Sequence, residues 1–316
     1  MQTRNIGTLP ASVIGLGCNN FGGRIDEAAS RAVVDAALDA GITLFDTADI
    51  YGATLSEEFI GRALRGRRDR ALIATKFGGP IDDDRRGGAS AAYIRRACDD
   101  SLKRLETDRI DLYQLHFPDQ ATPLEDTLVA LDSLVRAGKV REIGCSNFSA
   151  EMIEEAELVS EERDIARFVS VQNEYSLLRR APEKNGVLDM CHKYDVAFIP
   201  YFPLASGMLS GKYRRNEAPP AGTRLAGAPE ERRQVVFADK NFDRIEALEE
   251  WARAQGHTLL ELAFAWLLAR PAVASVIAGA TKPEQVRANA AAASWQLTAR
   301  DLEEIDALIE QVKSAG

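Results

Sequence analysis

Cysteine and histidine are scarce in this chain, with four and three in 316 residues. Cys18, Cys98, Cys145 and Cys191 stand far apart with no C-x-x-C pair. That spacing argues against a disulfide scaffold or a zinc ribbon and leads us to expect free thiols in a reducing cytoplasm. His192 and His257 have no ligand spacing, so no metal site is expected. No apolar run approaches a membrane span, and the opening MQTRNIGTLP has no signal-peptide core. Positive charge is in deficit: 39 Lys and Arg against 48 Asp and Glu leave a net −9. A phosphate surface would repel such a chain, which argues against nucleic acid or an anionic membrane as partner. A small anionic ligand needs only a local cationic site and stays open. Missing too is a G-x-G-x-x-G after the first apolar run, which a dinucleotide-binding open sheet would need.

What is present is a rhythm. Short apolar runs recur about every 30 residues, the span of a strand-plus-helix unit. They are Val13–Gly17, Ile42–Asp46, Ala71–Lys76, Asp111–Leu115, Val140–Cys145, Phe168–Gln172, Val196–Tyr201 and Ser275–Gly279. Their richness in Val, Ile, Leu and Phe predicts strands buried on both faces, as in a parallel sheet. Helical period lies between them. Asp26–Ala40 would place Ala29, Ala32, Val33, Ala36, Ala37 and Ala40 on one stripe. Thr122-Pro123-Leu124-Glu125 and Thr258-Leu259-Leu260-Glu261 read as capping boxes, and Gly41 and Gly138 as helix C-terminal residues with φ > 0. Strand and helix in such alternation, with no compositional linker, predict a single (β/α)8 TIM-barrel domain over residues 1–316. The residues before Val13 are expected to form a β-hairpin closing the bottom. The segment 207–240, broken by Gly and Pro and rich in Lys and Arg (Lys212, Arg214, Arg215, Arg232, Arg233), is expected to be a lid. Asp82–Asp84 with Arg85 and Arg86 reads as a solvated loop, and Trp251, Trp266 and Trp295 as packing residues in helices.

Barrel sites are built at the C-terminal ends of strands. There the sequence puts Asp46, Lys76 and His116, with Tyr51 five residues past Asp46 in a loop able to fold back. Singly, each has a plain structural use; jointly they suggest a proton donor. A phenol with an ordinary pKa near 10 is a poor acid at neutral pH. A nearby ammonium favours the phenolate, and a carboxylate keeps that ammonium charged in a low-dielectric mouth. Lowering the phenol by about three units needs about 4 kcal/mol. His116 would orient or polarise a substrate carbonyl as a neutral imidazole donor.

The runs FDTADIYG (Phe45–Gly52), IATKFG (Ile73–Gly78), DLYQLH (Asp111–His116), GKVREIGCSNFS (Gly138–Ser149), VQNEYS (Val171–Ser176), YFPLASGMLSGKY (Tyr201–Tyr213) and GATKPEQVRANA (Gly279–Ala290) resemble the aldo-keto reductase superfamily, in order and over nearly the whole chain. The resemblance implies that Asp46, Tyr51, Lys76 and His116 form the catalytic tetrad. It implies NADPH, or less often NADH, as cofactor, with no metal. Ser146, Asn147 and Gln172 would hold the carboxamide, and Tyr201 would stack on the nicotinamide. The stretch around Leu204, Gly207, Leu209 and Gly211 would cover the pyrophosphate. At the adenosine end, Pro283 suits a first helical position, so Gly279, Thr281 and Lys282 would present N–H groups and a cation at a helix N-terminus, a good place for a ribose 2′-phosphate. Gln285 and Asn289, one turn apart, match adenosine contacts. Lys282 stands where relatives carry Arg or Lys, which favours NADPH. Phe21, Ile50, Phe77 and Phe117 would line an apolar mouth for a small carbonyl substrate. The rival reading is a cofactor-binding regulatory module like the potassium-channel β subunits, which are similar in fold and keep the tetrad.

Overall fold

The computed structural model describes residues 1–83 and 85–314; Asp84 of the charged loop, and Ala315 and Gly316 at the end of the expected domain, lie outside it. The chain opens with a hairpin, β1 (Thr3–Ile6) and β2 (Leu9–Ser12), paired antiparallel. Eight parallel strands follow: β3 (Ile14–Gly17), β4 (Leu44–Asp46), β5 (Leu72–Phe77), β6 (Ile110–Leu115), β7 (Val140–Ser146), β8 (Phe168–Gln172), β9 (Ala197–Phe198) and β10 (Val276–Gly279). Each pairs with its sequence neighbour, and β10 pairs with β3. The remaining seam is closed by Phe198, whose N–H donates to the Ala272 carbonyl at 2.7 Å and whose own carbonyl accepts from Ala274 N–H at 3.0 Å. The result is a (β/α)8 barrel.

The helices between strands are α1 (Glu27–Asp39), α2 (Leu55–Ala63), α3 (Ala91–Arg104), α4 (Leu124–Arg136), α5 (Ala150–Arg163) and α6 (Val187–Tyr194). After β9 come α7 (Glu230–Val236), α8 (Asp239–Ala254) and α9 (Leu259–Leu268), and after β10 come α10 (Pro283–Ala291) and α11 (Ala299–Ser314). Their starts follow local chemistry. Asp26 caps α1 by accepting from Ala29 N–H at 2.9 Å, and the Thr258–Glu261 capping box forms in full on α9. Gly41 and Gly138 do take positive φ, 77° and 72°, just past α1 and α4.

Some expectations fail for identifiable reasons. No box forms at α4: its N-cap is Pro123, and the Thr122 hydroxyl donates instead to the nearby Asp119 carboxylate at 2.8 Å, a charged and stronger acceptor. The buried stripe of α1 runs through Ser30, Val33, Val34, Ala36, Ala37 and Leu38, leaving Ala32 exposed, because Val33, Val34 and Leu38 set which face turns inward. Four strands are shorter than expected: β3 begins at Ile14, β4 at Leu44 and β10 at Val276, and β9 spans Ala197–Phe198 alone. Trp295 lies outside any helix, stacked between Trp251 and His257.

The hairpin seals the barrel bottom. Ile6, Leu9 and Ala11 pack with Leu44, Ala74, Leu112 and Ile277 of the strands in one buried cluster, so the open end of the barrel is the other one. Leu9→Ala should cost about 2–5 kcal/mol in a urea titration, the usual range for a buried Leu truncation, while leaving ligand affinity at the far end unchanged.

Candidate active site

At the C-terminal ends of the strands lies a cavity of about 530 Å³, large enough for a cofactor-sized ligand. Asp46 ends β4, Lys76 lies near the end of β5, and His116 follows β6 with its N–H donating to the Phe77 carbonyl at 2.8 Å. The chain then turns at Thr47–Gly52 and brings Tyr51 back over the mouth. Asp46, Tyr51 and His116 line the cavity; Lys76, with no exposed surface, sits directly beneath.

The Lys76 ammonium donates to both Asp46 carboxylate oxygens and to the Thr47 carbonyl, each at 2.8 Å. Its three protons are thereby matched. Burial pulls its pKa down, but Asp46 and Tyr51 outweigh that and leave it above the ordinary lysine value, so it is charged throughout the neutral range. Lys76 Nζ lies 5.2 Å from the Tyr51 ring centre. The Tyr51 phenol moves opposite to the expectation: burial, aided by Asp46, pushes it above 10 despite the pull of Lys76. The main reason is the loss of water around the phenol, with Asp46 offsetting part of the ammonium's pull. Tyr51 is therefore held fully protonated. His116, buried and beside the Lys76 charge, is driven down to about 3 and is a neutral imidazole. Its ring meets the Tyr51 ring edge-on at 5.8 Å and stacks on Phe117 at 4.3 Å.

A polar network continues along the rim. Gln172 Nε2 donates to Asp46 Oδ1 at 2.9 Å, and Ser146 Oγ donates to the Gln172 carbonyl at 2.8 Å. Asn147, in the left-handed region at φ 62°, donates to the His116 carbonyl at 3.0 Å and accepts from the Tyr201 hydroxyl at 2.8 Å. All four side chains line the cavity, as do Leu204, Gly207, Gly279, Thr281, Lys282 and Gln285. Leu209 is buried in the core, Gly211 ends the 3-10 turn Ala205–Ser210, and Asn289 is buried against the barrel; none of these three faces the cavity. Gln285 accepts from Thr281 N–H at 2.8 Å, closing the turn ahead of α10, whose first residue is Pro283 and which has no side-chain cap. Of the four apolar residues expected at the mouth, only Phe117 lines it. Phe21 and Phe77 belong to the closed core, and Ile50 packs against Gly79.

Several lining residues were not foreseen, chief among them Arg24, Lys212 and Arg224. Arg224 donates to Asn19 Oδ1 at 3.3 Å and Asn20 Oδ1 at 3.1 Å; Arg24 donates to the Gly222 carbonyl at 2.8 Å. These contacts strap the segment after Gly211 across the cavity, which makes the 207–240 stretch a covering loop that ends in α7. None of the three cations has a carboxylate partner among the described residues. Burial, then Arg24 and Arg224, pulls Lys212 below its ordinary value, and burial, then Arg24 and Arg232, does the same to Arg224. Cations gathered at the expense of their own charge make a site for an anion. Of the basic residues that stand out in this segment of the sequence, Lys212 does this while Arg214 and Arg215 do not: Arg214 pairs with Glu249, and Arg215 with Asp239, Asp243 and Glu246 on α8. No sequence signal separated Lys212 and Arg224 from those neighbours. The cavity thus has a protonated phenol beside a neutral imidazole at one side, three cations without a carboxylate partner among the described residues at another, and a helix N-terminus beside Lys282. That donor set fits a dinucleotide with a pyrophosphate.

Asp46→Asn should destabilise the fold by about 3–5 kcal/mol at pH 7, because it strands a buried ammonium. The loss should be largest where Asp46 is ionised in the wild type and Lys76 is charged in the variant, and should shrink as pH rises and the stranded lysine, its pKa lowered by burial, gives up its proton, as measured by urea unfolding across pH.

A family model described as the aldo/keto reductase family matches residues 13–310. The chain is 34% identical to the aldo-keto reductase YhdN of Bacillus subtilis (strain 168), over 97% of this chain and 92% of that one. It is 32% identical to a probable voltage-gated potassium channel subunit beta of Oryza sativa subsp. japonica, over 98% and 97%. In three dimensions it is similar to the glycerol dehydrogenase AKR11B4 from Gluconobacter oxydans, with a TM-score of 0.83, 30% identity, and 98% and 95% of the two chains covered. Matched across its full barrel in sequence and in backbone, this chain belongs to the aldo/keto reductase family, a family of carbonyl-reducing oxidoreductases.

Proposed function

We propose that the protein is an NADPH-dependent reductase of aldehydes or ketones in which Tyr51 protonates the carbonyl oxygen. The observation that carries this reading is the placing of a fully protonated Tyr51 and a neutral His116 on the cavity floor above the Lys76–Asp46 pair. When bound, NADPH supplies the hydride. The protein's part is electrostatic and geometric. Tyr51 keeps its proton until charge develops on the substrate oxygen, and the adjacent ammonium then stabilises the phenolate left behind, an interaction strongest in the transition state. His116, uncharged, offers an N–H to the same oxygen without competing as an acid. Ser146, Asn147 and Gln172 supply the amide and hydroxyl groups suited to a carboxamide, and Tyr201 gives a flat ring beside them.

Arg24, Lys212 and Arg224 would take the pyrophosphate, and Lys282 with Thr281 at the start of α10 would take a 2′-phosphate. Among the described residues no helix is long and apolar enough to cross a membrane, in keeping with a cytoplasmic enzyme acting on a small carbonyl compound. The similarity to a potassium channel subunit beta favours a second reading, a cofactor-holding regulatory module. Steady NADPH consumption with simple aldehydes selects the enzyme; capture of a membrane partner with negligible turnover selects the module.

Tyr51→Phe should lower turnover by about 10²–10⁴-fold, the usual contribution of a positioned acid, with NADPH affinity within a few-fold of wild type. Full activity in that variant would refute the assignment. Fluorescence titration with both cofactors should show NADPH binding tighter than NADH by about tenfold or more, and Lys282→Met should erase most of the difference, since a hydrogen bond to a charged group contributes about 1.5–3 kcal/mol. Tighter NADH binding by the wild type would remove the case for a 2′-phosphate site.

A further inference from the structure

The turn that carries Tyr51 also carries a buried acid to which the mechanism above gives no part. Asp49 has no exposed surface, and neither of its carboxyl oxygens has a hydrogen-bond partner among the described residues. Its main chain, by contrast, is fastened to the site. The Asp49 N–H donates to the Lys76 carbonyl at 3.1 Å, and the turn is closed two residues later by Tyr51 N–H donating to the Ala48 carbonyl at 3.1 Å.

The groups around the carboxyl leave it no counter-charge. Glu57 of α2 is fully buried and holds Arg104 of α3 at 2.7 Å and the Thr75 hydroxyl of β5 at 2.5 Å. Lys76 of β5 is committed to Asp46. Tyr93 of α3 spends its hydroxyl on the Gly79 carbonyl at 3.4 Å, and the buried Tyr113 hydroxyl of β6 is itself unpartnered. The Ile50 N–H faces the carboxyl without reaching full hydrogen-bond geometry. Burial and then the Glu57 charge push Asp49 up to about 8, against the weaker pull of Arg104, Ile50 and Lys76.

We propose that Asp49 is a positioning residue which the working protein carries as the neutral acid, and that its ionisation unseats the turn holding Tyr51, setting an alkaline limit on turnover that belongs to Asp49. This rests on the reading of Tyr51 as proton donor. A charged Asp49 would be an unpaired anion beside the buried Glu57, and its only escape is toward water. The segment that gives first is the turn Ala48–Gly52, held by single backbone hydrogen bonds, because β4 and β5 are locked in the sheet. Moving that turn shifts Tyr51 relative to Lys76 and His116. Tyr51 itself titrates above 10, so its own ionisation lies at higher pH.

The test uses the full-length protein and Asp49→Asn, which keeps the shape of the neutral acid and cannot ionise. Wild-type kcat should fall about tenfold per pH unit above a midpoint near 8, while Asp49→Asn matches it near pH 7 and stays flat for at least one further unit. Stability gives a readout independent of catalysis. The unfolded chain releases this proton near 3.9 and the folded one near 8, so the folded state binds the extra proton in between. Wild-type Tm should therefore drop relative to Asp49→Asn as pH rises from about 4 to 8, and the gap should be constant above.

Identical alkaline limbs and parallel Tm curves would overturn the proposal, as would an inactive but stable Asp49→Asn, which would show that the carboxylate is needed as an anion. Should Asp49→Asn fail to fold, infrared titration of the wild type decides: a buried carboxylic-acid C=O band disappearing between pH 7 and 9 supports the proposal, and its absence at pH 6.5 refutes it. Loss of the Asp49 effect with Tyr51→Phe still inactive sinks the positioning claim alone. An active Tyr51→Phe sinks the proton-donor reading whatever Asp49 does.

Discussion

An ammonium group with no exposed surface is tolerated here because all three of its protons are matched, two by the Asp46 carboxylate and one by the Thr47 carbonyl. The arrangement around the barrel mouth follows from that pairing. It joins the end of β4 to β5 through side chains, and Gln172 extends it across the barrel to β8 by donating to the same carboxylate. Gln172 in turn anchors Ser146 of β7 through its carbonyl, and Asn147 reaches back to His116. Five consecutive strand ends are thus held in one polar network whose centre is a single charge pair. A buried pair of this kind contributes little net stability, and breaking it by removing one partner costs much more, so its value lies in fixing geometry.

The same pairing shapes the acid above it. An unpaired ammonium near Tyr51 would draw the phenol further toward ionisation; one matched by Asp46 pulls less, and burial prevails. A group meant to deliver a proton is best kept protonated at rest and relieved only as charge develops on its partner. His116 is neutral for a related reason, since burial and the same ammonium disfavour a second cation. Burial therefore sets the protonation state of both groups beside the cavity, with the ammonium opposing it at Tyr51 and reinforcing it at His116.

Electrostatics on the other side of the cavity run against the molecule's overall charge. The chain carries a net −9, yet Arg24, Lys212 and Arg224 converge on one cavity with no carboxylate partner among the described residues. The neighbouring Arg214 and Arg215, equally basic in sequence, are neutralised by acids of α8. Local potential is decided by which cations find partners, and a count along the chain does not reveal it.

The repeating apolar runs, the turn residues and the order of Asp46, Tyr51, Lys76 and His116 along the strand ends were enough to reach the barrel and the group of four side chains, because strand period and strand-end position follow directly from local spacing. Properties that depend on neighbours distant in sequence were not accessible that way. The rising pKa of Tyr51 needs the depth of its burial; the loss of the α4 capping box needs Asp119 within reach of Thr122; the withdrawal of Phe21 and Phe77 into the core needs the packing of adjacent helices. Arg24 and Arg224, 200 residues apart in the chain, meet only because the covering loop crosses the barrel mouth. The sequence by itself determined which residues stand at the strand ends, since a parallel strand buried on both faces shows as a short apolar run bounded by polar and turn residues. Only the tertiary structure decided how those residues are charged and what they face, since desolvation and Coulomb interactions are summed over space.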